Sequence, residues 1–186
     1  MSEISELYQD MILDHNKNPR NFGALKPCTH FAEGYNPLCG DHLNIFAILE
    51  DNIIKDIHFD GSGCAISKSS ASIMTQLIKG KTFEEAHELF NTFQHLITAS
   101  MEEKADADKL GKLIVFAGVK EFPSRIKCAS LAWHTMLSAI ENKQDKQQPY
   151  KSKRYKKSPY KYSRNKIDEH SDFREYKPCK LQLTAW

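Results

Sequence analysis

The stretch that decides the fold is LNIFAILEDNIIKDIHF, which occupies residues 43–59. In its first half Leu43 and Ile45 fall on the same side of an alternating run, a pattern typical of a half-buried β-strand. Its second half, residues 53–59, has the composition of a partner strand. Asp51-Asn52 lies between the two runs and has residue types that favour a tight turn. The stretch therefore predicts an antiparallel hairpin.

Helices and one more strand are predicted around this hairpin. Apolar residues recur at helical spacing near the N-terminus, and glycines after the hairpin separate it from a further helix. Thr82 and Glu85 have the spacing of a capping box, which predicts another helix start at this point. The expected elements are a helix over 3–16, a strand near 30–34, a helix over 65–79, a helix after Thr82, a short element over 110–116 and a last helix from Pro123.

The composition excludes several classes of protein. Of 186 residues, 40% are apolar, which is enough for a packed core. No run approaches the roughly 20 consecutive apolar residues that a membrane span needs. The first 15 residues lack the basic start and apolar stretch of a secretory signal. These features predict a cytoplasmic protein that does not enter a membrane.

The chain divides into two parts of opposite charge. Residues 1–141 carry 13 basic and 19 acidic side chains, whereas residues 142–186 carry 13 basic and 5 acidic ones. The second part is Lys/Tyr-rich and too poor in aliphatic residues to offset its ordering entropy. We therefore expect a folded domain over 1–141 and a tail over 142–186 that is disordered or partly docked. An altered reading frame or a cloning artefact are alternatives, and all three are favoured over nucleic-acid binding by the tail.

Three of the five cysteines share a local context. An odd, scattered set fits a disulfide framework poorly and indicates a reducing compartment. Cys39 lies in a Gly/Pro-marked loop with Asp41 two residues later, Cys64 follows Gly-Ser-Gly at a predicted helix start, and Cys128 lies in the first turns of the last helix. A rigid scaffold can present side chains from such junctions to one shared point.

The chemistry of this group leaves more than one interpretation open. Three thiolates and a carboxylate suit the tetrahedral coordination of zinc. Sulfur-rich sites also hold iron–sulfur clusters, and a lone cysteine is often only a small buried apolar residue. Cys28 is expected to be structural or incidental, and Cys179 is expected to be a free thiol in the tail.

Several ungapped motifs, in the same order along the chain, resemble the IscU/NifU-like family of iron–sulfur assembly proteins. The matching motifs are Leu7-Tyr8 through His15, Asn18-Pro19-Arg20-Asn21-Phe22-Gly23, Asn36-Pro37-Leu38-Cys39-Gly40-Asp41, Gly61-Ser62-Gly63-Cys64-Ala65-Ile66-Ser67, Phe122-Pro123-Ser124-Arg125-Ile126-Lys127-Cys128-Ala129 and Leu131-Ala132-Trp133. The SufU branch is indicated by an insertion around residues 95–117 and by Lys127, where classical IscU scaffolds carry histidine.

The resemblance implies a fold and a metal site. The implied fold is α+β, with a small antiparallel three-stranded sheet packed with helices. The implied site is zinc held by Cys39, Asp41, Cys64 and Cys128. A transient [2Fe–2S] cluster is the alternative occupant.

The resemblance also implies an activity. A SufU-like protein would accept persulfide sulfur from a pyridoxal-phosphate cysteine desulfurase of the SufS type and serve the downstream iron–sulfur assembly machinery. Carried over residue by residue, Cys39 is the sulfur acceptor. The alternatives are a scaffold on which an iron–sulfur cluster is assembled, which Lys127 disfavours, and a structural zinc domain with a nucleic-acid-binding tail. Arg125 and Lys127 are either a solvated cationic pair or a source of electrostatic stabilisation for the thiolate site.

Overall fold

The computed structural model describes residues 3–100, 102 and 110–141, with side chains from residue 6 onward. The predicted tail, residues 142–186, lies outside the described residues, and so does Cys179 within it. The predicted boundary at residue 141 therefore stays a prediction.

The described residues form three strands and five helices, which confirms the predicted α+β class. One helix precedes the three consecutive strands, and four helices follow them. The elements are α1 (Glu3–Lys17), β1 (His30–Asn36), β2 (Asp41–Glu50), β3 (Ile53–Ser62), α2 (Ala65–Ile78), α3 (Phe83–Thr98), a 3₁₀ helix (Gly111–Glu121) and α4 (Pro123–Glu141).

The three strands form one antiparallel sheet in the order β1-β2-β3. The predicted hairpin is its β2–β3 pair, and the turn residues Asp51 and Asn52 both have positive φ, 49° and 64°. Leu43 and Ile45 are wholly buried on the face that the helices cover, as the alternation predicted. In β1–β2 the register places Asn36 opposite Asp41, so the connecting loop is short and the two side chains can meet.

The last helix, α4, packs directly against the sheet. A Cβ on Gly34 of β1 would overlap the Thr135 hydroxyl of α4, so this close approach requires glycine. Trp133 of α4 is wholly buried and stacks on Phe93 of α3, with ring centroids 4.8 Å apart. This packing fixes the start of α4 relative to the β1–β2 loop, where the candidate site lies.

The middle of α2 buries polar side chains that all have partners. Ser70 Oγ donates to the Ala129 carbonyl at 2.6 Å and accepts from Trp133 Nε1 at 3.2 Å. Ser72 Oγ is hydrogen-bonded to His15 Nδ1 and to the Arg20 amide, each at 2.8 Å. Burial of a hydroxyl is tolerated when such bonds replace those to water.

The sequence located most element boundaries to within a few residues. The capping box at Thr82 and Glu85 is present, and α3 begins directly after Thr82. The short element predicted over 110–116 is a 3₁₀ helix that continues to Glu121. Over so few residues, periods of 3.0 and 3.6 are too similar for sequence spacing to separate. No helix among the described residues is long and apolar enough to cross a membrane.

Candidate metal centre

The β1–β2 loop presents Cys39 at its tip. The loop is closed by backbone amides of Cys39 and Gly40, which donate to the Asn36 carbonyl at 3.3 and 2.9 Å. The Leu38 amide donates to the Asn36 side-chain oxygen at 3.2 Å. Gly40 has φ +69°, a conformation that glycine adopts without strain. As a result Cys39 is exposed, and Asp41 follows as the first residue of β2.

Asp41 is wholly buried beneath this loop and has two hydrogen-bond donors. The Cys64 amide at the start of α2 donates to Oδ1 at 2.8 Å, and Asn36 Nδ2 donates to Oδ2 at 3.3 Å. Cys64 occupies the N-cap position of α2, and its side chain makes no capping bond. The carboxylate therefore takes the place of a capping side chain at the positive end of α2.

The first turns of α4 bring Cys128 to the same place. Its Sγ lies 3.1 Å from Cys39 Sγ, and Asn36 Nδ2 donates to it at 3.5 Å. The ligand atoms of Cys39, Asp41 and Cys128 all lie within 4.8 Å of one another. Three of the four residues named by the sequence thus form one cluster.

Cys64 is placed beside this cluster and not within it. Among the described residues, the group of ligand atoms that meet within 4.8 Å does not include the Cys64 sulfur. Its amide nevertheless bonds to Asp41, and its thiol is half-buried. The full set of Cys39, Asp41, Cys64 and Cys128 remains a prediction.

The electrostatics of the cluster fit a cation. Burial, together with hydrogen bonds to Cys39 and Asp41, raises the pKa of the Cys128 thiol far above its ordinary value. Without a positive charge the buried sulfur therefore stays protonated, because a second anion beside Asp41 is unfavourable. Soft thiolates and one carboxylate are the donors that zinc accepts in tetrahedral sites. A bound cation would favour the thiolate form of Cys128 and so oppose the burial and hydrogen bonds that raise its pKa.

Arg125 supplies positive charge at the rim. Its guanidinium is hydrogen-bonded to Cys128, and the charges of Cys64, Cys128 and Cys39 raise its pKa further. The side chain is fully exposed, so solvent screens these interactions. Electrostatic stabilisation of the thiolate site by Arg125 stays a prediction.

Three large side chains that lie close in sequence to the cluster residues are exposed. Leu38 is 64% exposed, and Phe122, which precedes α4, is 58% exposed. Tyr35 of β1 is 64% exposed and contacts the His42 ring edge-on. His42 itself pairs with Glu33 on the outer face of the sheet. Apolar exposure next to a reactive group is typical of a surface that meets another protein.

The sequence missed Asn36 as a site residue. Its side chain contacts both Asp41 and Cys128, and its backbone closes the Cys39 loop. In the sequence Asn36 stands out only as the first residue of the family motif around Cys39. Its contact with Cys128 spans 92 residues of sequence, which no local pattern reveals. Cys28, in contrast, is buried away from the cluster, as expected of a structural cysteine.

Comparisons with known proteins agree on one family. The family described as NifU-like N terminal domain matches residues 7–129. The zinc-dependent sulfurtransferase SufU of Bacillus subtilis (strain 168) is 39% identical over 139 residues, which cover 75% of this chain and 92% of the relative. The iron–sulfur cluster assembly scaffold protein IscU of Streptococcus pyogenes serotype M1 is 36% identical over 141 residues, covering 76% and 87%.

A solved structure supports the same grouping. The crystal structure of FiSufU from the thermophile Fervidobacterium islandicum AW-1, assigned to iron–sulfur cluster assembly for the SUF system, superposes with a TM-score of 0.66. The two sequences are 32% identical, and the match covers 73% of this chain and 98% of that one. The part of this chain left unmatched is comparable in size to the predicted tail.

Proposed function

Since the chain belongs to the family of NifU-like N-terminal domains, in its SufU branch, we propose that it acts in iron–sulfur cluster assembly as a zinc-dependent acceptor and carrier of persulfide sulfur. The donor would be a pyridoxal-phosphate cysteine desulfurase of the SufS type, in the cytoplasm. The recipient would be the downstream iron–sulfur assembly machinery.

One observation carries this proposal. Cys39 is exposed at a loop tip, yet its sulfur lies 3.1 Å from the buried sulfur of Cys128. A reactive thiol is thus accessible to a partner while the groups that control its charge are held in the core. A purely structural metal site has no need of an exposed ligand.

The residues that would hold zinc are Cys39, Asp41, Cys64 and Cys128. When bound, zinc supplies positive charge that keeps the cysteine sulfurs deprotonated at neutral pH. Asn36 and the Cys64 amide orient the Asp41 carboxylate. Cys128, at the start of a packed helix, provides a sulfur that does not move with the loop.

The transfer step is a thiol exchange. The Cys39 thiolate attacks the outer sulfur of the desulfurase persulfide and forms a new S–S bond. The bond between the two donor sulfurs breaks, and its electron pair leaves with the desulfurase cysteine as thiolate. Cys39 then carries the persulfide, with no net oxidation and no further reactant.

Two features of the rim would serve this step. Arg125 faces the cysteine sulfurs and would stabilise the negative charge that passes between the two proteins. The exposed side chains of Tyr35, Leu38 and Phe122 would dock against the desulfurase and exclude water from the exchanging sulfurs.

The experiment that tests the proposal is desulfurase turnover with and without the zinc-loaded full chain. Strong stimulation that disappears in Cys39→Ser is expected. Cys28→Ala is the matched control, because Cys28 is buried outside the cluster and its loss should leave stimulation intact. Failure of the folded, zinc-loaded wild type to stimulate any SufS-type desulfurase would reject the carrier role.

The second candidate is a scaffold for a [2Fe–2S] cluster. It is favoured by the donor set itself, because three cysteines and an aspartate can hold cluster iron as well as zinc. Lys127 replaces the histidine of classical scaffolds and argues against it. The absorption spectrum of anaerobically purified protein separates the two, since a zinc carrier is colourless and a cluster scaffold is brown.

A further inference from the structure

Ser67, in the first turn of α2, has a hydroxyl with no partner. Helix α2 buries five hydroxyl side chains, and four of them are hydrogen-bonded, namely Ser69, Ser70, Ser72 and Thr75. Ser67 is wholly buried, but its Oγ makes no hydrogen bond. Among the described residues the other buried side-chain atom in this condition is Gln94 Oε1, far from the cysteines in sequence. A buried hydroxyl without a partner lowers stability, so its presence requires an explanation.

The hydroxyl lies beside the Asp41 carboxylate. A Cβ built on Gly63 would lie 3.1 Å from Asp41 Oδ1 and 3.2 Å from Ser67 Oγ. The two oxygens therefore face the same narrow space next to Gly63. Because residue 63 is a glycine, it places no side chain in this space.

Asp41 has room for another donor. Its Oδ1 accepts from the Cys64 amide and its Oδ2 from Asn36. The protonated Cys128 thiol is also hydrogen-bonded to Asp41. A carboxylate has about four acceptor positions, so one is open, and a second becomes available when a cation replaces the thiol proton. The second position suits a cation, and the open one suits a hydroxyl that faces the same space next to Gly63. A hydrogen bond from a hydroxyl to a charged carboxylate is about twice as strong as a neutral one.

We propose that Ser67 is a positioning residue of the metal centre, whose hydroxyl donates to Asp41 Oδ1 when the carboxylate holds zinc. The inference rests on the metal site of the proposed function. In the metal-free protein the hydroxyl is unpaired and costs stability. In the loaded protein it holds one carboxylate oxygen and orients the other toward the ion, as outer partners of metal ligands do.

With this role, loss of Ser67 lowers zinc affinity without lowering the stability of the metal-free protein. Loss of a structural serine would lower both. Ser67→Ala removes an unpaired polar atom, so the metal-free variant should melt at the same temperature as the wild type or higher. The same variant loses a donor to the ligating carboxylate, so its zinc affinity should fall by about tenfold, at the low end for such partners.

The test is chelator competition for zinc on the full chain, together with thermal unfolding of the metal-free protein, for wild type, Ser67→Ala and Ser70→Ala. Ser70 is the matched control on the same helix, because its hydroxyl is satisfied by Ala129 and Trp133. Ser70→Ala should lower the melting temperature and leave zinc affinity unchanged.

Each outcome decides the inference. Weaker zinc binding by Ser67→Ala with an unchanged or raised melting temperature supports it. Unchanged zinc affinity in Ser67→Ala overturns the inference and leaves the proposed function intact. A parallel loss of zinc affinity and stability also overturns the inference, because it would mark Ser67 as structural, and it too leaves the proposed function intact. A folded wild type that binds no zinc at all overturns both this inference and the metal site on which it rests.

Discussion

Two regions of the molecule bury polar groups, and they differ in whether those groups are paired. In the middle of α2, Ser70 and Ser72 each have two hydrogen-bond partners from other elements. At the cysteine cluster, the buried Cys128 thiol has a strongly raised pKa, and the Ser67 hydroxyl has no partner. Paired polar groups specify how the helices pack. At the cluster, the protonated thiol and the unpaired hydroxyl lie where we propose that zinc binds.

The paired region should dominate stability and have little direct effect on chemistry. Trp133→Ala removes a wholly buried indole, its stacking on Phe93 and its bond to Ser70, and should lower the free energy of unfolding by about 3–5 kcal/mol. Denaturant unfolding of the metal-free protein measures this. Sulfur acceptance per folded molecule should survive, and a loss below about 1 kcal/mol would show that this region is not the centre of the core.

The unpaired region should show the opposite pattern. Asp41→Ala removes the carboxylate from the cluster and should weaken zinc binding by roughly a hundredfold, which chelator competition measures. Asp60→Ala is the control, because Asp60 pairs with Asn44 on the other face of the sheet and should leave affinity unchanged. Retention of wild-type zinc affinity in Asp41→Ala would remove aspartate from the ligand set.

Arg125 tests whether the rim contributes to the rate. Arg125→Ala should slow sulfur acceptance by about tenfold, less than for a buried donor because the guanidinium is exposed. Arg125→Lys keeps a positive charge but lacks the planar guanidinium, so its rate of sulfur acceptance should lie between those of the wild type and Arg125→Ala. Single-turnover kinetics at low and high salt checks this, and equal rates for all three proteins would return Arg125 to a solvated surface role.

The smallest effect concerns His15, at the edge of the paired region. Its ring is buried against Ser72, and burial lowers the pKa of the imidazole below its ordinary value of 6.5. Below about pH 6.5 the unfolded chain therefore binds the proton more readily than the folded one. The free energy of unfolding should therefore fall as the pH is lowered from about 6.5 toward the lower pKa of His15 in the folded protein.

The comparison variant for this prediction is His15→Gln, which cannot gain a charge. His30 and His134 also have lowered pKa values because of burial, so the wild type and the variant share their contribution. The difference between the two pH–stability curves isolates His15. Parallel curves would show that His15 does not titrate on unfolding.

The sequence predicted the sheet well because local alternation reports burial directly. Leu43 and Ile45 flank the polar Asn44 and are buried as expected, and the turn at Asp51-Asn52 has the required positive φ. The capping box at Thr82 is likewise a signal contained within four residues. Where structure follows from neighbours in sequence, the pattern is sufficient.

The candidate site was predictable in part, and the missing part has a physical cause. Cys39, Asp41 and Cys128 were identified from their contexts and the family resemblance, and the structure brings them together. Asn36 and Ser67 were missed because their importance lies in contacts across the fold, between a loop, a helix start and α4. Hydrogen bonds that are absent, as at Ser67, leave no trace in a sequence.

The central claim is that Cys39 receives sulfur while the buried cluster controls its charge. The most direct test mixes the zinc-loaded full chain with persulfide-loaded desulfurase and locates the added sulfur by peptide mass spectrometry. We expect the mass of one extra sulfur on the peptide that contains Cys39, and none on those with Cys28 or Cys128. Sulfur on another cysteine, or on none while zinc remains bound, would contradict it.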